Sequence, residues 1–205
     1  MKSFSIKEAL SFGWAAFKGR VWFFVGLLAL VAALTVIPRA AIDRISSPWL
    51  AVPLGIALQL FQWFLVVGLI KISLAVCDNA EVSVSDIFSG SPVYVKYVLA
   101  TILYGLIGLV GLVLLIVPGV ILLIMYGFYS YLIVEKDLGP VDALKRSAAV
   151  TQGARWWLFV FGLAVGLLNV AGALALFVGL FVTVPVSLVA TAFVYRKLLS
   201  QTEAV

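Results

Sequence analysis

Residues 97–134 form a run of 38 positions without a charged side chain, and residues 156–195 form another of 40. Nothing constrains this chain more. An uncharged run of about 18 residues is enough to cross a hydrocarbon core of about 30 Å as a helix, and residues 21–38 and 45–70 also reach that length. A straight helix of 38 or 40 residues would extend nearly 60 Å at about 1.5 Å per residue, more than tilt absorbs. Each long run is therefore predicted to fold back once. In the third run Pro118-Gly119, between LVLLIV and VILLIM, marks the turn by lacking a backbone donor and loosening the chain. In the fourth, the glycine and small-residue stretch over 172–179 does so. Six spans follow, as one transmembrane domain over residues 1–205.

Composition agrees with this. Hydrophobic residues make up 64% and charged residues 11%, against about half and about a quarter in soluble domains. Positive charge sets the expected orientation, because cytoplasmic flanks carry the excess of Lys and Arg. Six spans place Lys2, Lys7, Lys18, Arg20, Lys71, Lys96, Lys136, Lys145, Arg146, Arg155, Arg196 and Lys197 on one side, and only Arg39 and Arg44 on the other. Both termini are thus expected in the cytoplasm. The net charge of +5 becomes juxtamembrane charge suited to anionic head groups, and a nucleic-acid partner is disfavoured. The first twenty or so residues are amphipathic rather than apolar, so the first span is expected to stay as an anchor. One cysteine, Cys77, and the absence of histidine exclude an internal disulfide and leave no usual donor set for zinc or for histidine-dependent catalysis. No cofactor is expected.

Three segments resemble one another: SIKEAL from Ser5, SVSDIF from Ser83 and GPVDAL from Gly139. Ser5 with Glu8, and Ser83 with Asp86, have capping-box spacing. Gly139-Pro140 followed by Asp142 offers the alternative helix start, with Pro at the first helical position and an acid in the first turn. The predicted repeat, over about 5–77, 83–135 and 139–198, is a short amphipathic interfacial helix feeding a transmembrane hairpin. In the first helix Ile6, Leu10, Gly13 and Phe17 share a face opposite Lys7, Ser11 and Lys18, with Phe12 breaking the pattern. In the third, Val141, Leu144 and Ala148 form a thinner face edged by Lys145; the middle helix is predicted to be a turn or two. Trp22, Tyr94, Tyr97, Trp156, Trp157 and Tyr195 fall at the charged interface and Trp49 at the other, as anchoring aromatics do.

Candidate chemistry is sparse. Gln59 and Gln62 in the second span and Asn169 in the fifth form a candidate intramembrane polar cluster, as a substrate path or, with more weight, as interhelical hydrogen-bonding groups. Lys71 ends an apolar run and is expected to snorkel to the interface. Gly105, Gly108 and Gly111, and Gly162 with Gly166, permit close helix approach. Tyr126, Tyr129, Ser130 and Tyr131 give the fourth span a polar character unusual for lipid contact, and are expected to face the bundle or the cytoplasmic interface, with a hydroxyl-lined cavity as the alternative. No paired carboxylates, activated nucleophile or phosphate-cradling glycine loop is found. Glu135, Asp137 and Asp142 are accounted for by helix capping and by Lys136, Lys145 and Arg146. The candidate lipid-headgroup contacts are Lys18, Arg20, Lys96, Lys145, Arg146 and Arg155.

The stretch VPGVILLIMYGFYSYLIVEKDLGPVDALKRSAAVTQGARWWLF resembles the YciC-like bacterial membrane proteins and the membrane domain attached to some glycerophosphodiester phosphodiesterases. Pro118-Gly119, the acidic end at 135–137, Ala143-Leu144, Ser147, Thr151 and Trp156 carry the resemblance, over about 117–158. It implies a six-span protein of a bacterial cytoplasmic (inner) membrane, of unsettled function, and supplies no catalytic residue; no phosphodiesterase domain is expected here. The resulting expectation is a non-enzymatic membrane protein with an organising, assembly or protective role, whose cytoplasmic helices meet anionic lipid, a membrane-protein partner or a second copy of the chain. A small transporter, channel or immunity-type exporter is the alternative, and a membrane enzyme comes third.

Overall fold

The computed structural model describes residues 3–175 and 177–204, apart from the side chain of Leu114. Lys2, one of the bases assigned above, and Leu176, within the expected last turn, lie outside the described residues. Nine α-helices order the described chain: α1 (Ile6–Gly19), α2 (Val21–Ile42), α3 (Pro48–Cys77), α4 (Tyr94–Leu114), α5 (Ile116–Tyr126), α6 (Tyr129–Lys136), α7 (Pro140–Thr151), α8 (Arg155–Leu174) and α9 (Leu180–Glu203). Two 3-10 turns, Val84–Phe88 and Ser91–Val93, join α3 to α4, and no strand occurs among the described residues. Six helical segments are long and apolar enough to cross a membrane: Val21–Ile42, Pro48–Cys77, Val84–Val113, Ile116–Lys136, Arg155–Leu174 and Leu180–Glu203. Their mean hydropathy runs from 1.4 to 2.4, so the chain is built as a multi-pass membrane protein.

Both long apolar runs do fold back. The third run reverses at Leu115, an extended residue (φ −163°, ψ 140°) between α4 and α5, which corrects the prediction of a turn at Pro118-Gly119. Pro118 sits in the first turn of α5, where a helix has no internal partner for its N–H in any case. Gly119 serves packing: a Cβ there would lie 2.7 Å from the Leu112 backbone nitrogen, so its absence lets α5 close against α4, its most extensive neighbour. The fourth run turns between α8 and α9, as predicted. There a Cβ on Gly179 would lie 2.6 Å from the Gly172 carbonyl.

The three predicted helix starts are helix starts. Ser5 Oγ accepts the Glu8 N–H at 3.3 Å. Ser83 and Asp86 form a capping box, with the Ser83 N–H donating to Asp86 Oδ2 at 2.8 Å. Pro140 opens α7 with Asp142 in its first turn, but no side chain caps that helix, so the expected capping by Asp142 is not made.

The helices expected at the interface are spent largely on protein contacts. α1 buries Ala9, Gly13 and Phe17 and packs chiefly on α9. A Cβ on Gly13 would collide with the Val186 carbonyl oxygen, and Phe12, out of pattern in the sequence, stacks on Phe193 at 4.8 Å between centroids. The face of α7 is turned from the one predicted: Val141 is 52% exposed, whereas Ala143, Leu144, Ser147, Val150 and Thr151 are buried. The segment after α3 folds back along it, and Ile87 is fully buried with its backbone against Gly68.

Burial is uneven along the bundle. Leu65, Val67, Ile70 and Leu74 of α3, Leu132 and Ile133 of α6, and Val189, Val194 and Leu198 of α9 form the core at the end that carries both termini. At the other end Val36, Ile37, Leu50, Val52, Leu109, Val113, Leu167 and Leu174 are exposed, which in a bilayer is contact with acyl chains. α9 runs through the packed end with α1, α2, α3, α7 and α8 around it.

Candidate functional site

Charge gathers where the spans end beside the termini. Arg196 of α9 donates through one Nη to Glu135 of α6 and through the other, at 2.5 Å, to Asp78 just past α3. Lys197 reaches Glu8 at 2.6 Å, and Lys96 reaches Asp137 at 2.8 Å. Ser3 and Gln201 exchange two hydrogen bonds, of 3.0 and 2.9 Å, tying the start of the chain to its last helix. The local pairing predicted for the acids holds only for Lys136 and Glu135, at 3.5 Å. The other partners come from distant helices, because spans antiparallel in a bundle bring together ends far apart in sequence. Arg196, Asp78 and Glu203 were therefore missed in sequence; the signal available was their shared position at the ends of apolar runs.

Beside this network lies a groove of about 510 Å³ between α6, α7 and α9. Leu132, Leu138, Ala149 and Leu199 make its apolar floor, while Lys136, Lys145, Arg146, Asp142 and Glu203 edge it. Glu203 is shared loosely by Lys136 (3.6 Å) and Arg146 (3.8 Å). Lys145 is exposed and has no ion pair among the described residues. Three cations over an apolar floor can hold a phosphate with its attached hydrocarbon, because the charges pair with the anion while the floor removes CH2 groups from water.

The remaining headgroup candidates are placed differently. Lys18 lies over the Trp14 ring at 5.6 Å, and Arg20 donates to the Ala80 carbonyl at 3.2 Å. Lys96 is held by Asp137, as above. Arg155 starts α8 beside exposed Trp156 and Trp157, with its Nε buried and unpartnered. Lys71, expected to snorkel, donates to the Ser89 carbonyl of the α3–α4 connection at 2.6 Å. Only Lys145 and Arg146 of the six share the groove.

The polar candidates within the spans do not meet. Asn169 donates to Ser187 Oγ of α9 at 3.1 Å. Gln59 is exposed in a separate groove with Arg39 and Asp43, and no hydrogen bond among the described residues joins either glutamine to Asn169. The void between α2, α3 and α9, lined by Phe24, Leu27, Ile72 and Ser73, measures about 10 Å³, at the lower limit for one water. Of the glycines expected to permit close approach, Gly108 and Gly111 meet α5, whereas a Cβ added at Gly105, Gly162 or Gly166 would meet no other element within 4 Å among the described residues.

Ser147 and Thr151 serve the broken fourth span. α5 ends at Tyr126 and α6 begins at Tyr129. Ser147 Oγ accepts the Phe128 N–H and donates to the Met125 carbonyl, both at 3.0 Å, and Thr151 Oγ1 donates to the same carbonyl at 3.0 Å. Among the described residues no group of three or more Cys, Asp or Glu is placed to hold a metal. The chain matches no family model, no curated protein and no solved structure.

Proposed function

We propose that this is a non-enzymatic, polytopic protein of the bacterial cytoplasmic membrane that organises or protects the membrane, or assists assembly in it, by holding anionic lipid at its cytoplasmic end. In this reading the six spans are three hairpin repeats with both termini inside, and the chain is kin to the YciC-like proteins. The positive charge at the end bearing the termini supports the orientation, and the three similar helix starts support the repeat.

The observation that carries the reading is the groove between α6, α7 and α9, which sets Lys136, Lys145 and Arg146 around an apolar floor. A non-enzymatic role is supported by the way most acids at this end are used: Glu8, Asp78, Glu135, Asp137 and Glu203 are engaged by bases and Asp86 by its capping box, while Asp142, at the groove, has no ion pair among the described residues. The separation of Gln59 from Asn169, together with the 10 Å³ void, favours a scaffold over a transporter.

Native mass spectrometry of the detergent-solubilised protein with phosphatidylglycerol tests the lipid reading. Lys145→Gln with Arg146→Gln is expected to weaken retention by about fivefold per charge removed, since a base near an anionic surface is worth roughly 1 kcal/mol. Undiminished retention in a folded double variant would refute it.

A further inference from the structure

The end of the bundle away from the termini carries a second groove, between α2 and α3, of about 480 Å³. Arg39 and Asp43 stand at its mouth, Ile42, Val52 and Ile56 line it, and Gln59 is its deepest polar residue. Gln59 lies eleven residues into α3, or about 16 Å along the axis at about 1.5 Å per residue. The helices run in opposite directions, and side chains lean toward the start of their own helix. Arg39, near the end of α2, therefore leans toward the bundle middle, and Gln59 leans toward the mouth.

These polar groups have bonding capacity to spare. Arg39 Nε donates to Asp43 at 3.0–3.2 Å, and neither Nη has a partner among the described residues. Gln59 is exposed within a span and has no partner there either, although an unpaired amide facing hydrocarbon is costly. Guanidinium donors, an adjacent carboxylate and an amide one acyl ester deeper form a complement to a lipid that carries a phosphate, an ammonium and an ester carbonyl.

We propose that this groove binds phosphatidylethanolamine from the leaflet facing the α2–α3 loop. Arg39 Nη atoms donate to the phosphate oxygens, and Asp43 accepts from the ammonium. Gln59 Nε2 donates to a glycerol-ester carbonyl, with Val52 and Ile56 flanking the glycerol between the mouth and Gln59, and the acyl chains continue past Gln59 toward the middle of the bundle. A choline head group has no N–H to give Asp43, and a glycerol head group has no cation for it, so the pair selects ethanolamine. The site is independent of the groove that holds Lys145.

Native mass spectrometry of the full-length protein, offered phosphatidylethanolamine, phosphatidylcholine and phosphatidylglycerol in equal amounts, tests the assignment. The ethanolamine lipid is expected to be retained about tenfold over the choline lipid, the worth of one hydrogen bond to a charged group. Gly55→Phe fills the groove from a position where an added Cβ meets nothing within 4 Å, and should abolish the ethanolamine adduct while leaving phosphatidylglycerol retention intact. Gln59→Leu provides a second variant and should weaken the same adduct several-fold. Equal retention of the ethanolamine and choline lipids, an adduct indifferent to both substitutions, or a protein dimer carrying no such adduct would overturn the proposal.

Discussion

Ser147 and Thr151 show how a single side chain can be polar, buried and structural at once. Both are fully buried and both serve the gap between α5 and α6, where the Met125 carbonyl and the Phe128 N–H lack helical partners. Their contributions differ. Ser147→Ala leaves the Phe128 N–H without the one side-chain partner it has among the described residues, at a cost of about 1–3 kcal/mol for a buried unsatisfied group. Thr151→Val keeps the shape and leaves the Met125 carbonyl served by Ser147, so it should cost about 1 kcal/mol or less. Thermal unfolding in detergent should therefore rank Ser147→Ala well below Thr151→Val, and equal loss would contradict the bridging role. Hydropathy could not reveal this, because it scores both residues as surface; Val141, which looks apolar, is the one left exposed. The glycines were legible as a class but not individually, since Gly111 and Gly119 pack closely while Gly162 and Gly166 stand open.

Arg196 makes the equivalent point between elements. Its guanidinium links α6, through Glu135, to the end of α3, through Asp78, across separations of 61 and 118 residues. The Glu135 side chain is 16% exposed and that of Arg196 30%, too enclosed to be an ordinary surface pair. Removing one partner strands the other, so Arg196→Met should cost about 2–3 kcal/mol, or roughly 4–12 °C of melting temperature for a chain of this size. The double variant Glu135→Gln, Arg196→Met should recover part of that loss. Additive losses in the melting curves would show that the pair does not act as a unit. Element starts were legible because caps are local: Ser5, Ser83 and Pro140 each announce one. Ion-pair partners were not, because they depend on which spans neighbour each other.

At the scale of the whole molecule, the six-span count was legible from the lengths of uncharged sequence alone. The turn in the third run fell three residues before the residue pair expected to make it. What sequence did not disclose is the asymmetry of packing. The end with the termini has a protein core around α9, reinforced by α1, α7 and the returned segment near Gly68, while the other end presents side chains such as Val36, Leu109 and Leu167 outward. Apolar composition reads the same in both places, because burial in protein and burial in lipid ask for the same residues. The asymmetry matches the proposed division of labour, with charge and packing on one side of the membrane and lipid contact around the rest. Orientation is the claim on which that division depends. Single cysteines placed at the exposed positions Ser46 and Ser200, in a Cys77→Ser background, test it with a membrane-impermeant maleimide on intact cells. Ser46→Cys should label from outside, and Ser200→Cys only after permeabilisation; labelling of both from the same side, or of Ser200→Cys alone from outside, would contradict the account.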